Sequence, residues 1–153
     1  MRLDWASLLE ILRNSRRVVL TSHVRPDCDA LGSELGMAGI LTALGKDVRI
    51  VNAQATPPSL AWIDPDRRLE SLAERVKPAD LADRDLLIVL DTSAWAQLGA
   101  MGEVLKADRA RVLVVDHHVS EDDLGDRWFK DTSAEATARI VYEIGVRLKV
   151  PFT

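Results

Sequence analysis

The chain has 153 residues, 47% of them hydrophobic, and a formal net charge of −4. That is the size of one ordinary domain with enough apolar material for a core, and the acidic balance excludes a protein that grips long duplex nucleic acid through a broad basic surface. The single cysteine, Cys28, excludes an intrachain disulfide. No apolar run is long enough to span a membrane and "MRLDWASLLE" lacks the apolar core of a signal peptide, so the expectation is a soluble cytoplasmic protein with no membrane partner.

Apolar periodicity and breakers then divide the chain. Trp5, Leu8, Leu9 and Leu12 mark the inward face of a short helix over about 4–13. "RVVLTSH" (17–23) reads as a strand, followed by a helix over about 30–44 that stops at Gly45, and by the strand "DVRIVNA" (47–53). The prolines of "TPPSLAWIDPDRR" predict a loop or broken element, with a helix over about 68–75 after it. "DLLIVLDTS" (85–93) is a strand, 95–106 a helix, "RVLVVDHH" (111–118) a strand, 127–131 a short strand and 134–148 a helix. Apolar β-branched runs separated by helices predict an α/β domain, a mostly parallel sheet with helices on both faces.

Three of those strands end in chemistry. His23 closes the first, Asp91 the third, and Asp116, His117 and His118 the fourth, and these are the only histidines of the chain. Open α/β sheets bind ligands in the crevice beyond the carboxyl ends of their strands, so groups far apart in sequence should meet there. Asp27 and Asp29 join them from the loop after the first strand, where Pro26 restricts the backbone and Asp29 is placed to cap the next helix. Four aspartates packed among imidazoles repel one another unless they are protonated or neutralised by cations. Carboxylate and imidazole donors without thiolates suit manganese best, with magnesium, cobalt or zinc as alternatives. An aspartate with both oxygens free, as Asp91 is expected to be, can bridge two ions about 3.5–4 Å apart in a hydrolytic site. The bland readings are a helix cap for Asp29, a surface pair for the histidines and a small filler for Cys28, whose thiolate two flanking carboxylates disfavour. Gly32, Gly36 and Gly39 recur at helical spacing and cost about 1 kcal/mol each relative to alanine. Close helix packing is expected at Gly36 and Gly39, with Gly32 and Ser33 nearer the site.

These residues also resemble a known family. "HVRPDCDALGS" looks like the first motif of the DHH phosphoesterase superfamily, "VLDTS" its second and "VVDHH" its third, in matching order and spacing. The superfamily includes RecJ-like nucleases, nano-RNases that also dephosphorylate 3′-phosphoadenosine 5′-phosphate, cyclic-dinucleotide phosphodiesterases and family II inorganic pyrophosphatases. "FKDTSAEATARIVYEI" (129–144) is similar to the nano-RNase and cyclic-dinucleotide branch. The resemblance implies a Rossmann-like DHH domain in which His23, Asp27 and Asp91 hold one divalent ion, Asp29, Asp91 and His117 hold a second, and Asp91 bridges them. It implies further that Asp116 orients an imidazole and that His118 contacts the scissile phosphate or leaving group.

Two departures qualify the match. Cys28 stands where the family usually has glycine. The family's fourth motif, which adds one more aspartate to the second metal, follows the helix that ends here near Lys149, and a substrate-binding domain comes later. The chain is therefore expected to be the N-terminal DHH domain of a longer two-domain enzyme. The expected activity is two-metal hydrolysis of short oligonucleotides or nucleotide bisphosphates, and a homodimer is compatible with the sequence. The alternatives are pyrophosphatase, exopolyphosphatase or cyclic-dinucleotide phosphodiesterase activity, and a non-catalytic module that binds metal or nucleotide.

Overall fold

A computed structural model describes residues 1–120 and 122–152. Its centre is a six-stranded, all-parallel sheet in the order β3-β2-β1-β4-β5-β6. The strands are β1 (Arg17–Thr21), β2 (Asp47–Asn52), β3 (Leu69–Ser71), β4 (Leu86–Leu90), β5 (Val112–Asp116) and β6 (Arg127–Lys130). Helices α1 (Trp5–Asn14), α2 (Cys28–Ala43), α3 (Met101–Ala107) and α4 (Thr137–Arg147) cover it.

Both faces are buried, which is why the inner strands are apolar along their length rather than alternating. Strand residues still divide by parity. Leu20, Ile50, Ile88, Leu90 and Val115 pack under Leu8, Leu12, Met37, Leu41 and Ile144 of α1, α2 and α4. Their neighbours Val19, Val51, Leu87, Val89 and Val114 face Leu98, Met101 and Leu105 around α3. Each such fully buried leucine contributes roughly 1.5–3 kcal/mol. Gly36 belongs to this packing, because a Cβ there meets Val141 Cγ1 of α4 at 3.3 Å; a Cβ on Gly39 or Gly32 meets nothing within 4 Å, so the expected packing reason fails for Gly39. Gly45 ends α2 as expected. It adopts φ +79° and its N–H reaches Thr42 O at 2.9 Å, while Lys46 N–H reaches Leu41 O at 3.1 Å, a left-handed cap that glycine adopts without strain.

Two expected elements differ. Residues 69–71 form the edge strand β3 in place of a helix over 68–75: the Leu69, Leu72, Val76 spacing looks helical, but pairing of Leu69 with Ile50 on β2 overrides it. The helix expected over 95–106 is a 3-10 turn, Trp95–Gln97, followed by α3. Gly99 separates them at φ +53°, and a Cβ there meets Val24 Cγ1 at 2.9 Å and Ala53 Cβ at 3.0 Å. The strand order reverses between β1 and β4, which opens a crevice at their carboxyl ends.

Candidate metal centre

All seven residues singled out by sequence lie at that crevice, but their supports differ from those expected. β1 delivers His23. Its Nδ1–H donates to Val24 O at 2.9 Å, which fixes the tautomer and leaves Nε2 facing Asp91 Oδ2 at 3.3 Å and Asp27 Oδ1 at 3.8 Å. His117 repeats the device: Nδ1–H donates to Ala134 O at 3.2 Å and Nε2 faces Asp91 Oδ1 at 3.5 Å and Asp29 Oδ2 at 3.6 Å. Asp91 thus sits between the two imidazoles, one oxygen toward each. It is 1% exposed and holds a left-handed backbone, φ +66°, rare for a residue with a Cβ. Thr137 Oγ1 donates to its Oδ1 at 2.9 Å.

The cap expected of Asp29 falls to its neighbour in the loop. Asp27, not Asp29, caps α2, accepting Ala30 N–H at 2.9 Å. Asp29 lies inside the first turn of α2 and caps α4, accepting the N–H groups of Thr137 at 3.1 Å and Ala138 at 2.9 Å. Exposed Cys28 sits between them, a surface residue and not a filler.

The histidine pair lies beyond β5, which ends at Asp116. Asp116 is fully buried. Its Oδ1 accepts the N–H groups of His117 at 2.8 Å and His118 at 3.2 Å and the His118 ring Nδ1 at 2.7 Å, and its Oδ2 accepts Ser93 Oγ at 2.6 Å. One carboxylate therefore folds the whole turn. The rings do not alternate across a strand; they lie side by side, centroids 4.3 Å apart. With Nδ1 bound to Asp116, the half-exposed His118 ring has only Nε2 left for a partner.

Burial and hydrogen bonding pull the ionisable groups of the centre in opposite directions. Burial pushes the Asp91 carboxyl up, and the neighbouring Asp29 charge adds to it, against the hydrogen bond to His23. Burial also acts to raise Asp29, but the amides of Ala138 and Thr137 hold it below its ordinary value. The bond to Asp91 lifts the His23 imidazole to about 9 against the opposing effect of burial. His23, Asp27 and Asp91 bring ligand atoms within 4.8 Å of one another, as do Asp91, His117 and His118. His118 Nδ1 lies 4.0 Å from Asp91 Oδ1 but is already bound to Asp116 at 2.7 Å, whereas Asp29 Oδ2 faces His117 Nε2 at 3.6 Å. Carboxylate and neutral imidazole donors aimed at common points fit a divalent ion of the manganese or magnesium kind.

Sequence reasoning missed the residues behind this layer. Thr137 and Ser93 are ordinary hydroxyls in their segments, and nothing in the sequence marks them. Glu34 is fully buried on α2, its Oε2 accepting Asn52 Nδ2 at 3.0 Å. The one available signal was an acidic residue among Leu31, Leu35 and Ala38 on a helix apolar nearly all round.

Comparison with known proteins bears on the family and the fold. The family described as "DHH family, N-terminal domain" matches residues 17–150. The chain belongs to the DHH family. The bifunctional oligoribonuclease and PAP phosphatase NrnA of Bacillus subtilis (strain 168) is 32% identical over 127 residues, which cover 83% of this chain and 37% of that protein. Its namesake from Thermus thermophilus is 29% identical and covers 89% of this chain and 38% of that protein. This DHH domain thus spans well under half the length of these relatives. Among solved structures, an exopolyphosphatase-related protein from Bacteroides fragilis superposes with a TM-score of 0.83 at 24% identity, over 92% of this chain and 42% of that one. A manganese-bound exonuclease RecJ superposes at 0.54 and 24% identity, over 95% and 37%. These likenesses are of fold. No described helix is long and apolar enough to cross a membrane.

Proposed function

We propose that the chain carries the hydrolytic centre of a phosphoesterase that cuts short oligonucleotides or nucleotide bisphosphates with two divalent ions, manganese by preference and magnesium or cobalt as alternatives. The observation that carries this reading is buried Asp91 with one oxygen toward His23 Nε2 and the other toward His117 Nε2. In the proposal His23, Asp27 and Asp91 hold one ion, and Asp29, Asp91 and His117 the other. When bound, such ions polarise a phosphoryl oxygen and make water a competent nucleophile at neutral pH. The residues do the positioning. Backbone carbonyls lock His23 and His117 with Nε2 forward, Asp116 clamps His118 by Nδ1, and His118 Nε2 is left to meet the phosphate or protonate the leaving oxygen. The curated relatives named for oligoribonuclease and PAP phosphatase activity support this substrate class.

The test is hydrolysis, with and without manganese, of a diribonucleotide, 3′-phosphoadenosine 5′-phosphate and pyrophosphate. Manganese-dependent release from either nucleotide, abolished by EDTA, is the expected result. Activity on pyrophosphate alone contradicts the substrate class. No metal-dependent activity on any of the three, in this chain and in a form extended to the length of its relatives, contradicts the reading.

A further inference from the structure

The buried Glu34 has no part in the chemistry above, and an acid in an apolar interior needs a reason. It is 0% exposed, and its second oxygen, Oε1, has no hydrogen-bond partner among the described residues. Its other oxygen binds the side chain of Asn52, the last residue of β2. Asn52 is itself 3% exposed, and its Oδ1 accepts from Ser22 N–H at 3.1 Å and from the hydroxyls of Thr21 at 3.3 Å and Ser22 at 3.5 Å.

Three parts of the site are joined at this point. Ser22 is the residue before His23 where β1 gives out. Glu34 is on α2, the helix whose first turn begins at Asp27 and contains Asp29. Asn52 ends β2, two residues past the last β1–β2 pair, Leu20↔Ile50, and pairs with Ser71 of β3. A chain of three side chains therefore sets where α2 stands relative to the exit of β1. No other side-chain hydrogen bond among the described residues joins α2 to the strand end that carries His23.

We propose that Glu34 and Asn52 are positioning residues of the metal centre: together they hold the β1 exit against α2 so that His23 and Asp27 present their donors to the same point. The proposal rests on the metal-binding reading above. An apolar packing of the same site would bury no orphan oxygen and is the simpler core, so the carboxyl is retained for the geometry it imposes.

The experiment compares Glu34→Leu, Glu34→Gln and Asn52→Ala with the unaltered protein. Each is followed by thermal melting, by ¹⁵N shifts of the His23 imidazole at fixed pH without metal, and by calorimetric titration with manganese chloride. Leucine keeps the volume and removes the orphan oxygen while leaving Asn52 Nδ2 without its acceptor, so Glu34→Leu is expected to fold with a lowered melting temperature. It should nevertheless change the His23 ring shifts and weaken manganese binding about tenfold, the scale typical of partners behind a metal ligand. Glu34→Gln keeps an acceptor for Asn52 and should restore both signals to within about threefold of the unaltered protein on the same scale. Asn52→Ala should reproduce the Glu34→Leu pattern. Folded Glu34→Leu and Asn52→Ala proteins with unaltered His23 shifts and manganese affinity overturn the positioning role and leave the metal reading intact. An unaltered protein that binds no manganese overturns the metal reading, and the inference with it.

Discussion

The two halves of the centre are built by different means, although they share Asp91. On the His23 side the parts are local: His23 and Asp27 lie four residues apart in one loop, and Asp27 caps the helix it begins. On the His117 side they are remote. Asp29 caps α4 across 108 residues of sequence, and His117 leans on Ala134 just before that helix. The first half needs β1, its loop and β4; the second exists only when α4 is docked. A local half can therefore persist under a change that dismantles its partner, and the reverse does not follow. Only Asp91 belongs to both.

Asp91→Asn should have the largest effect. It removes the shared charge, and manganese affinity should fall on the order of a hundredfold at both halves, more than is typical for loss of a partner behind a ligand. Calorimetry that shows one site intact would break the idea of a shared carboxylate. Next come the neighbouring histidines. His118→Ala should lower kcat on the order of a hundredfold or more, the contribution usual for a positioned acid, with manganese affinity retained, whereas His117→Ala should lose the remote ion. Equal loss of metal in both variants would show that the rings share one task.

How much of this was legible in the sequence depends on whether the signal was local. The strand cores, their polar ends and the α/β class followed from apolar runs and breakers, because a doubly covered parallel strand writes its burial directly into the chain. The convergence of His23, Asp91 and the 116–118 triplet followed from the general place of sites in such sheets. The assignment of Asp29 as the cap of α2 failed because its carboxylate serves a helix more than a hundred residues away, and the 68–75 helix failed because pairing with β2 outweighed a helical spacing. The strand expected over 111–118 was too long for a similar reason: β5 ends at Asp116, two residues early, because the Asp116 carboxylate takes the N–H groups of His117 and His118 and curls the chain into a turn.

A smaller effect sharpens the contrast from below the His23 half. Burial raises the Glu34 carboxyl from its ordinary 4.5 to about 7, against the hydrogen bond from Asn52. Its folded value lies above its unfolded one, so its contribution to stability is complete below about pH 4.5 and is lost as the pH rises through 7. Between pH 5 and 8 this amounts to about 2 kcal/mol. Urea unfolding should show that decline in the unaltered protein and a flatter profile in Glu34→Gln; parallel profiles would count against a protonated Glu34.

The smallest effect separates the two caps. Asp29→Asn should cost about 1 kcal/mol of stability through the weakened α4 cap and lower manganese affinity roughly tenfold at the remote half alone. Asp27→Asn should spare α4, measured by amide hydrogen exchange at Thr137 and Ala138. Faster exchange at those amides in Asp27→Asn as well would mean that the halves are not built independently.

The central claim, two ions on either side of one buried carboxylate, is tested most directly by anomalous diffraction from crystals soaked in manganese chloride. The account predicts two peaks about 3.5–4 Å apart, one beside His23 and Asp27, the other beside Asp29 and His117, with Asp91 between them. A single peak away from Asp91, or none at millimolar manganese, would contradict it.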